Sequence, residues 1–338
     1  MQPLRWPVLG VIRFLLALVV AAYHLGQQMG FTALTTCLSS FSAISAVLGF
    51  LVISGYSIAA SHAKAPVGFY RRRLLRIWPL YILGIVAGCA VMYDTGASTG
   101  LHGMPPTGRI LANLFFLQGW TSYSIMYNAV VWTLSIEVFC YLLTPVFARL
   151  SQAMLLTIAG FSALLYCAYP LLVEHPRLYH LLLNGQATAF FMWAWLLGFV
   201  AFRARNHALA ALGVFGAFAV IAALNSADLR DRWIFTIGLV LLGIGATGKL
   251  RGPKWLASAG SLLGDASYPL YLIHMPFFFL LSRLTSAPAS SAAILSATVI
   301  LAGLLDKLYD QPVKRLFSRP PTGGLQIESP QLPVNPSP

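Results

Sequence analysis

The stretch VLGVIRFLLALVVAAYHLG, residues 8–26, decides the fold class. About 20 mainly apolar residues are what a helix needs to cross the hydrocarbon core of a bilayer, and this run has that length. Two ionisable residues interrupt it, Arg13 and His24. They are eleven residues apart, which at 3.6 residues per turn puts both on one helix face about 16 Å apart. Arg13 alone can snorkel to the interface and His24 alone can mark the far end of a span. Together they describe a polar stripe through the bilayer, and ionisable groups at that depth need partners. Arg5 precedes the run as in a signal peptide, but Arg13 breaks it and no small-residue cleavage site follows, so the segment is expected to stay in the membrane.

Outward from this stretch the same pattern recurs. Roughly ten apolar runs, separated by polar or Gly/Pro breaks, have centres near Ala17, Phe50, Ile85, Phe139, Phe161, Ala194, Phe215, Leu239, His274 and Thr298. The expected fold is all-α, a polytopic integral membrane protein of about ten transmembrane helices. Composition agrees: 58% of the 338 residues are hydrophobic and 9% charged, against about a quarter charged in soluble domains. The stretch Arg109 to Trp120 is too short for a span and reads as interfacial or re-entrant. With the N-terminus in the cytoplasm, most of the 22 Lys and Arg fall in inside loops. Arg109, Arg177, Arg230, Arg232 and Arg283 fall outside, and Arg13 lies in the first helix. The positive-inside rule then puts both termini in the cytoplasm.

Residues 1–317 thus form one transmembrane domain, and 318–338, rich in Pro, Gly and Ser, read as a disordered cytoplasmic tail. The net charge of +13 lies in short clusters between apolar runs, so it marks topology and membrane lipids rather than nucleic acid. Cys37, Cys89, Cys140 and Cys167 are widely spaced and make neither a disulfide framework nor a zinc pattern; no metal site is expected.

Three further blocks carry polar chemistry. Phe69 to Pro79 contains Arg71, Arg72, Arg73 and Arg76, with Arg76 one turn from Arg72 and Arg73. Guanidinium forks suit phosphate oxygens, and they also suit simple anchoring to anionic lipid. Trp132-Thr133-Leu134-Ser135-Ile136-Glu137 opens another helix, with Trp132 and Ser135 as candidate cavity-lining residues. Glu137 reads as the one acidic residue inside a clear span. A lone carboxylate there must be protonated or paired and points to function. Asp265 to His274 sets Ser267, Tyr271 and His274 on one face at i, i+4, i+7, and Pro269 and Pro276 can free backbone carbonyls toward a cavity.

Five blocks in this order, Arg13 to His24, Gly49 to Tyr56, Arg71 to Pro79, Trp132 to Glu137 and Ser267 to His274, resemble the membrane acyltransferase type-3 family, which includes carbohydrate O-acetyltransferases. The resemblance implies a helical transmembrane fold and an acyl-CoA donor, with acetyl-CoA preferred and no permanently bound cofactor. It makes His24 the leading catalytic candidate, and Arg13, Arg73 and Arg76 donor-binding candidates. Tyr309-Asp310-Gln311-Pro312 departs from the Glu-x-Pro that relatives often carry at the final helix. The extra extracytoplasmic hydrolase-like domain of some relatives is also absent, which suggests that transfer is completed within the membrane domain. Neutral His24 can take the acceptor hydroxyl's proton as general base, with Glu137 orienting the imidazole if their depths agree; a covalent acetyl-histidine is the other route. The expected acceptor is a carbohydrate, glycolipid or polysaccharide, and the expected location a bacterial inner membrane. A transporter or lipid-linked sugar flippase is the competing reading of intramembrane Arg, Glu and His.

Overall fold

A computed structural model describes residues 2–94, 106–172, 183–204, 208–224, 233–246, 250–284 and 290–318. Helices carry these residues in the order α1 (Arg5–Met29), α2 (Ala33–Ser39), α3 (Ala43–Lys64), α4 (Phe69–Asp94), α5 (Pro106–Leu114), α6 (Trp132–Arg149) and α7 (Gln152–Leu172). The chain continues with α8 (Gln186–Ala204), α9 (Ala208–Leu224), α10 (Trp233–Ala246), α11 (Lys254–Leu284), α12 (Ser291–Leu305) and α13 (Gln311–Ser318). A 3-10 segment, Met126–Val131, leads into α6, and a π-helical turn, Asp306–Asp310, joins α12 to α13.

Each of the ten expected centres falls inside a helix. Among the described residues, seven helices are long and apolar enough to cross a membrane. The difference from ten has physical causes. Helices α9 and α10 have 17 and 14 residues, short of a full span. Helix α11 has 31, but Asp265, Ser267, Tyr271 and His274 dilute its apolar character. Residues 106–114 form a nine-residue helix followed by turns, with Phe116 at φ 59° and Gly119 at φ 85°, so this stretch does not cross. Ser318 closes α13; the rest of the expected tail, together with Arg177, Arg230 and Arg232, lies outside the described residues.

The site is positioned by the pairing of α1 with α11, which run side by side in the same direction. Their starts are tied by a two-residue antiparallel strand pair, Gln2 with Gly252 and Pro3 with Arg251. The Leu4 amide adds a bond to the Leu250 carbonyl at 3.0 Å. One turn into the pair, Gly10 faces Gly264, where an added Cβ on Gly264 would lie 2.7 Å from the Gly10 Cα. Close backbone approach of this kind is how helices gain contact in lipid, where no hydrophobic force drives them together. On the other side of the core, Gly55 of α3 and Gly198 of α8 interlock in the same way against the carbonyls of Trp195 and Val52.

A second pin fixes α6. Proline has no N–H, so Pro276 leaves the carbonyl four residues earlier, that of Leu272, without its helical partner. Asn128, fully buried, donates to that carbonyl at 3.0 Å and to the Gly84 carbonyl at 2.9 Å. One side chain thereby clips α4 and α11 to the 3-10 segment and sets where α6 begins.

Candidate active site

Helix α4 starts against the loop after α3, and its first turn divides the arginine block into two pairs. Arg72 donates to the carbonyls of Ala65 and Val67, and Arg71 donates to the Phe317 carbonyl at 2.7 Å. These two tie chain segments together. Arg73 and Arg76 instead line two cavities in company with Arg13. Periodicity puts both Arg72 and Arg73 one turn from Arg76; the split comes from the loop after α3, whose carbonyls of Ala65 and Val67 take up Arg72 and leave Arg73 with Arg76 at the cavities.

The first cavity, of about 330 Å³, lies among α1, α3, α4, α6 and α11, and the chain from Asp306 to Lys314 closes it. Its charged lining is Arg13, Arg73, Arg76 and Lys314 with Glu137, Asp265, Asp306 and Asp310. The second, of about 510 Å³, lies beside it between α1, α3 and α11, with Trp6, Ser61 and Lys64 in its wall. Arg13, Arg73, Arg76, Ser57, Gly264 and Asp265 border both. The second wall therefore holds four cations and one acid, whereas the first holds four of each. Arg13 Nη2 donates to the Gly264 carbonyl at 2.9 Å and Arg73 Nη2 to Ser61 Oγ at 2.6 Å. The buried Nε of each has no hydrogen-bond partner among the described residues. Both residues line the cavities, and clustered guanidinium groups of this kind suit an anionic ligand.

Glu137 sits in the wall of the first cavity. It accepts from Ser54 Oγ at 2.8 Å and from the Tyr141 hydroxyl, both on one carboxylate oxygen. It also lies within electrostatic range of Arg13 and Arg73. Its hydrogen-bond partners are thus hydroxyls of α3 and α6, and the orientation of His24 by this carboxylate, expected if their depths agreed, is not what the geometry provides. Nor is Glu137 alone as an intramembrane acid. Asp306 and Asp310, 4% and 2% exposed, belong to the candidate span 291–317. Asp306 accepts from Gln311 at 2.7 Å, and Asp310 pairs with Lys314. Of this trio the sequence singles out only Asp310, within Tyr309 to Pro312, although 306, 310 and 314 repeat at i, i+4, i+8. The π-turn that carries the two acids is a form often found at functional sites.

Further along α1 and α11 lies the second cluster. His24 Nδ1 is 2.9 Å from His274 Nε2, and His274 Nδ1 is 3.0 Å from the Leu270 carbonyl. The ring planes differ by 14°, with centroids 5.2 Å apart. That separation exceeds the N···N distance by about two ring radii, so the rings meet edge to edge with the two nitrogens aimed at each other. Tyr271 packs between this pair and the cavity: its ring is 6.1 Å from His274, and its hydroxyl lies 3.0 Å from Thr133 Oγ1 in the cavity wall.

Of the residues singled out from sequence, Arg13, Arg73, Arg76, Glu137, Ser267 and Tyr271 line the first cavity. His24 and His274 form the separate pair just beyond it. Ser267 is spent on the Gly264 carbonyl, at 2.6 Å. Trp132 and Ser135, expected at the cavity, border neither one. The Trp132 ring packs on Phe191 with centroids 5.3 Å apart, and Ser135 bonds back to the Trp132 carbonyl at 2.7 Å. Their positions follow from helix phase: Thr133 and Glu137, four apart, hold the cavity face of α6, which turns Trp132 and Ser135 away.

Comparison with known proteins agrees with this picture. The chain is 25% identical to acyltransferase MdmB of Streptomyces mycarofaciens, with 93% of each chain covered. No solved structure gives a significant match. The family model described as "Acyltransferase domain" matches residues 7–306, a range that contains Arg13, both cavities' arginines, Glu137 and both histidines of the pair. A multi-pass membrane chain whose polar residues converge on two adjoining cavities and a histidine pair is, on that match, a member of the acyltransferase-domain family.

Proposed function

We propose that the protein moves an acyl group, acetyl by preference, from cytoplasmic acyl-CoA to a hydroxyl of a carbohydrate, glycolipid or polysaccharide acceptor. In this reading the chain spans a bacterial inner membrane about ten times, with both termini in the cytoplasm. The observation that carries the proposal is the convergence of Arg13, Arg73 and Arg76 on the shared border of two adjoining cavities. The phosphates of CoA suit the more cationic second cavity and its shared border, since guanidinium forks bind phosphate bidentately. The pantetheine arm would follow the first cavity toward Thr133 and Tyr271, delivering the thioester toward His24.

At that point the acceptor oxygen attacks the thioester carbonyl. The new C–O bond forms, the hydroxyl proton passes to His24, and the C–S bond breaks as the proton moves on to the CoA sulfur. General-base help of this kind contributes about 10²–10⁴-fold, and imidazole titrates in the range where it can both take and give the proton. Direct transfer is preferred over acetyl-histidine because no second nucleophile is evident in the sequence beside His24, which is already needed as the base. Glu137 serves as counter-charge to the arginines rather than as a partner of His24.

The test is incubation of purified protein with acetyl-labelled CoA and candidate glycans. Label on a glycan hydroxyl supports the proposal, while label that stays on CoA as an acceptor crosses the membrane would turn the reading to a transporter or flippase. An early burst of one CoA per enzyme without acceptor would replace direct transfer by the covalent route.

A further inference from the structure

We infer that His274 is a positioning residue that locks His24 in the tautomer whose Nε2 is free to act as base; this rests on the reading of His24 given above. The Leu270 carbonyl can only accept, so His274 Nδ1, 3.0 Å away, carries a hydrogen. His274 is fully buried, and its hydrogen-bond partners are a carbonyl and another imidazole. A second proton on Nε2 would place an uncompensated cation in that surrounding, at a heavy desolvation cost. Its Nε2 is therefore bare.

A bare Nε2 facing His24 Nδ1 at 2.9 Å needs a hydrogen between them, since two lone pairs would repel at that distance. The edge-to-edge alignment, with planes only 14° apart, makes this an in-plane bond along the lone-pair direction. The hydrogen must come from His24. Neutral imidazole carries one N–H, so His24 holds it on Nδ1 and keeps its lone pair on Nε2. No hydrogen bond occupies that Nε2 among the described residues, and His24 is half-buried rather than sealed.

The chain thus reads Leu270 carbonyl, His274, His24, acceptor hydroxyl, each link set by the one before. When His24 Nε2 takes the hydroxyl proton, the new charge is shared through Nδ1–H to His274 Nε2, and the proton leaves again from Nε2 to the CoA sulfur. Tyr271 and Phe278, with ring centroids 6.1 and 5.7 Å from His274, hold its plane. The arrangement does for a base what a buried carboxylate does in hydrolase triads, but through neutral groups that place no permanent charge at this depth.

Two measurements test it. In uniformly 15N-histidine-labelled protein reconstituted in liposomes, His24 should show a protonated Nδ1 and an unprotonated Nε2 in the resting state, with its signals assigned by their loss in His24→Ala. A protonated Nε2 in resting His24 overturns the inference, with no variant at His274 needed. In parallel, His274→Gln and His274→Met have similar length, but only the glutamine amide oxygen can accept from His24 Nδ1–H. His274→Met should lower kcat roughly a hundredfold with the KM values for acetyl-CoA and acceptor unchanged, and His274→Gln should stay within about tenfold of the parent. Equal kcat for the two would make His274 a packing residue and overturn the proposal. His24→Ala separates the two layers of argument. If it is inactive while His274→Met turns over normally, the base reading stands and the positioning role falls. If His24→Ala itself retains normal transfer, both fall.

Discussion

The two ends of the α1–α11 pair are built on opposite electrostatic principles. At the Arg13 end, seven further charged side chains line the first cavity, and the Nε atoms of Arg13 and Arg73 have no partner among the described residues. At the His24 end, about 16 Å further along the helix, the ring nitrogen facing α11 and both nitrogens of His274 are engaged, the partners are uncharged, and Tyr271 separates the pair from the charged lining. Charge is concentrated where a charged ligand would be held. It is kept away from where a proton must move, because a base next to fixed cations would have its protonated form disfavoured and one bonded to a carboxylate would be held as a cation. On the proposed reading, binding and chemistry are thereby divided between two sites that a single pair of helices holds in register.

The strongest way to break the comparison is at the histidine. His24→Ala should leave the protein in the membrane at its normal level and cut kcat roughly a thousandfold, within the span of general-base effects; near-normal acetylation at equal protein level would remove His24 from the mechanism. Next comes the joint between the two ends. Gly264→Val pushes α1 from α11 where the backbones touch, and should lower kcat/KM roughly a hundredfold by misplacing both sites at once. A loss confined to the donor KM would mean that the two ends are not held by this contact.

Smaller effects sharpen the division. Arg73→Lys and Arg76→Lys keep the charge and lose the fork, so each should raise the acetyl-CoA KM about tenfold, worth about 1.4 kcal/mol, and leave the acceptor KM alone. Measured in detergent and in anionic liposomes, an unchanged donor KM in both media would return these residues to lipid anchoring. Glu137→Gln should cost least, roughly fivefold in kcat, because the amide oxygen still accepts from Ser54 or Tyr141 and only the charge assistance is lost. A loss as deep as that of His24→Ala would place Glu137 at the proton-moving end and collapse the distinction drawn here.

The departures from expectation share one cause. Length and apolarity identify a helix one segment at a time, so every expected centre landed in a helix, yet the polar residues that build the site are what lower α11 below the hydropathy of a plain span. Trp132 and Ser135 were grouped with Glu137 by adjacency, while the helix turns them to Phe191 and to the α6 backbone. Asp306, Asp310 and Lys314 form a four-residue repeat, but Asp310 lies inside the Tyr309 to Pro312 motif that departs from the Glu-x-Pro of the family resemblance, so the set does not stand out in sequence.

What the amino-acid order determined by itself was everything with a short range: the membrane as solvent, the helices, the common face of Arg13 and His24, and the shared phase of Arg73 and Arg76. Each follows from composition or from 3.6-residue periodicity, which needs no knowledge of neighbours. The partner of His24 is of another kind. From sequence the partner offered is Glu137, 113 positions away, whereas the structure pairs His24 with His274, 250 positions away. Only the close approach of Gly10 and Gly264, the strand pair that starts α1 and α11 together, and the carbonyl left free by Pro276 chose between them, because a hydrogen bond across that many residues exists only after the helices have packed.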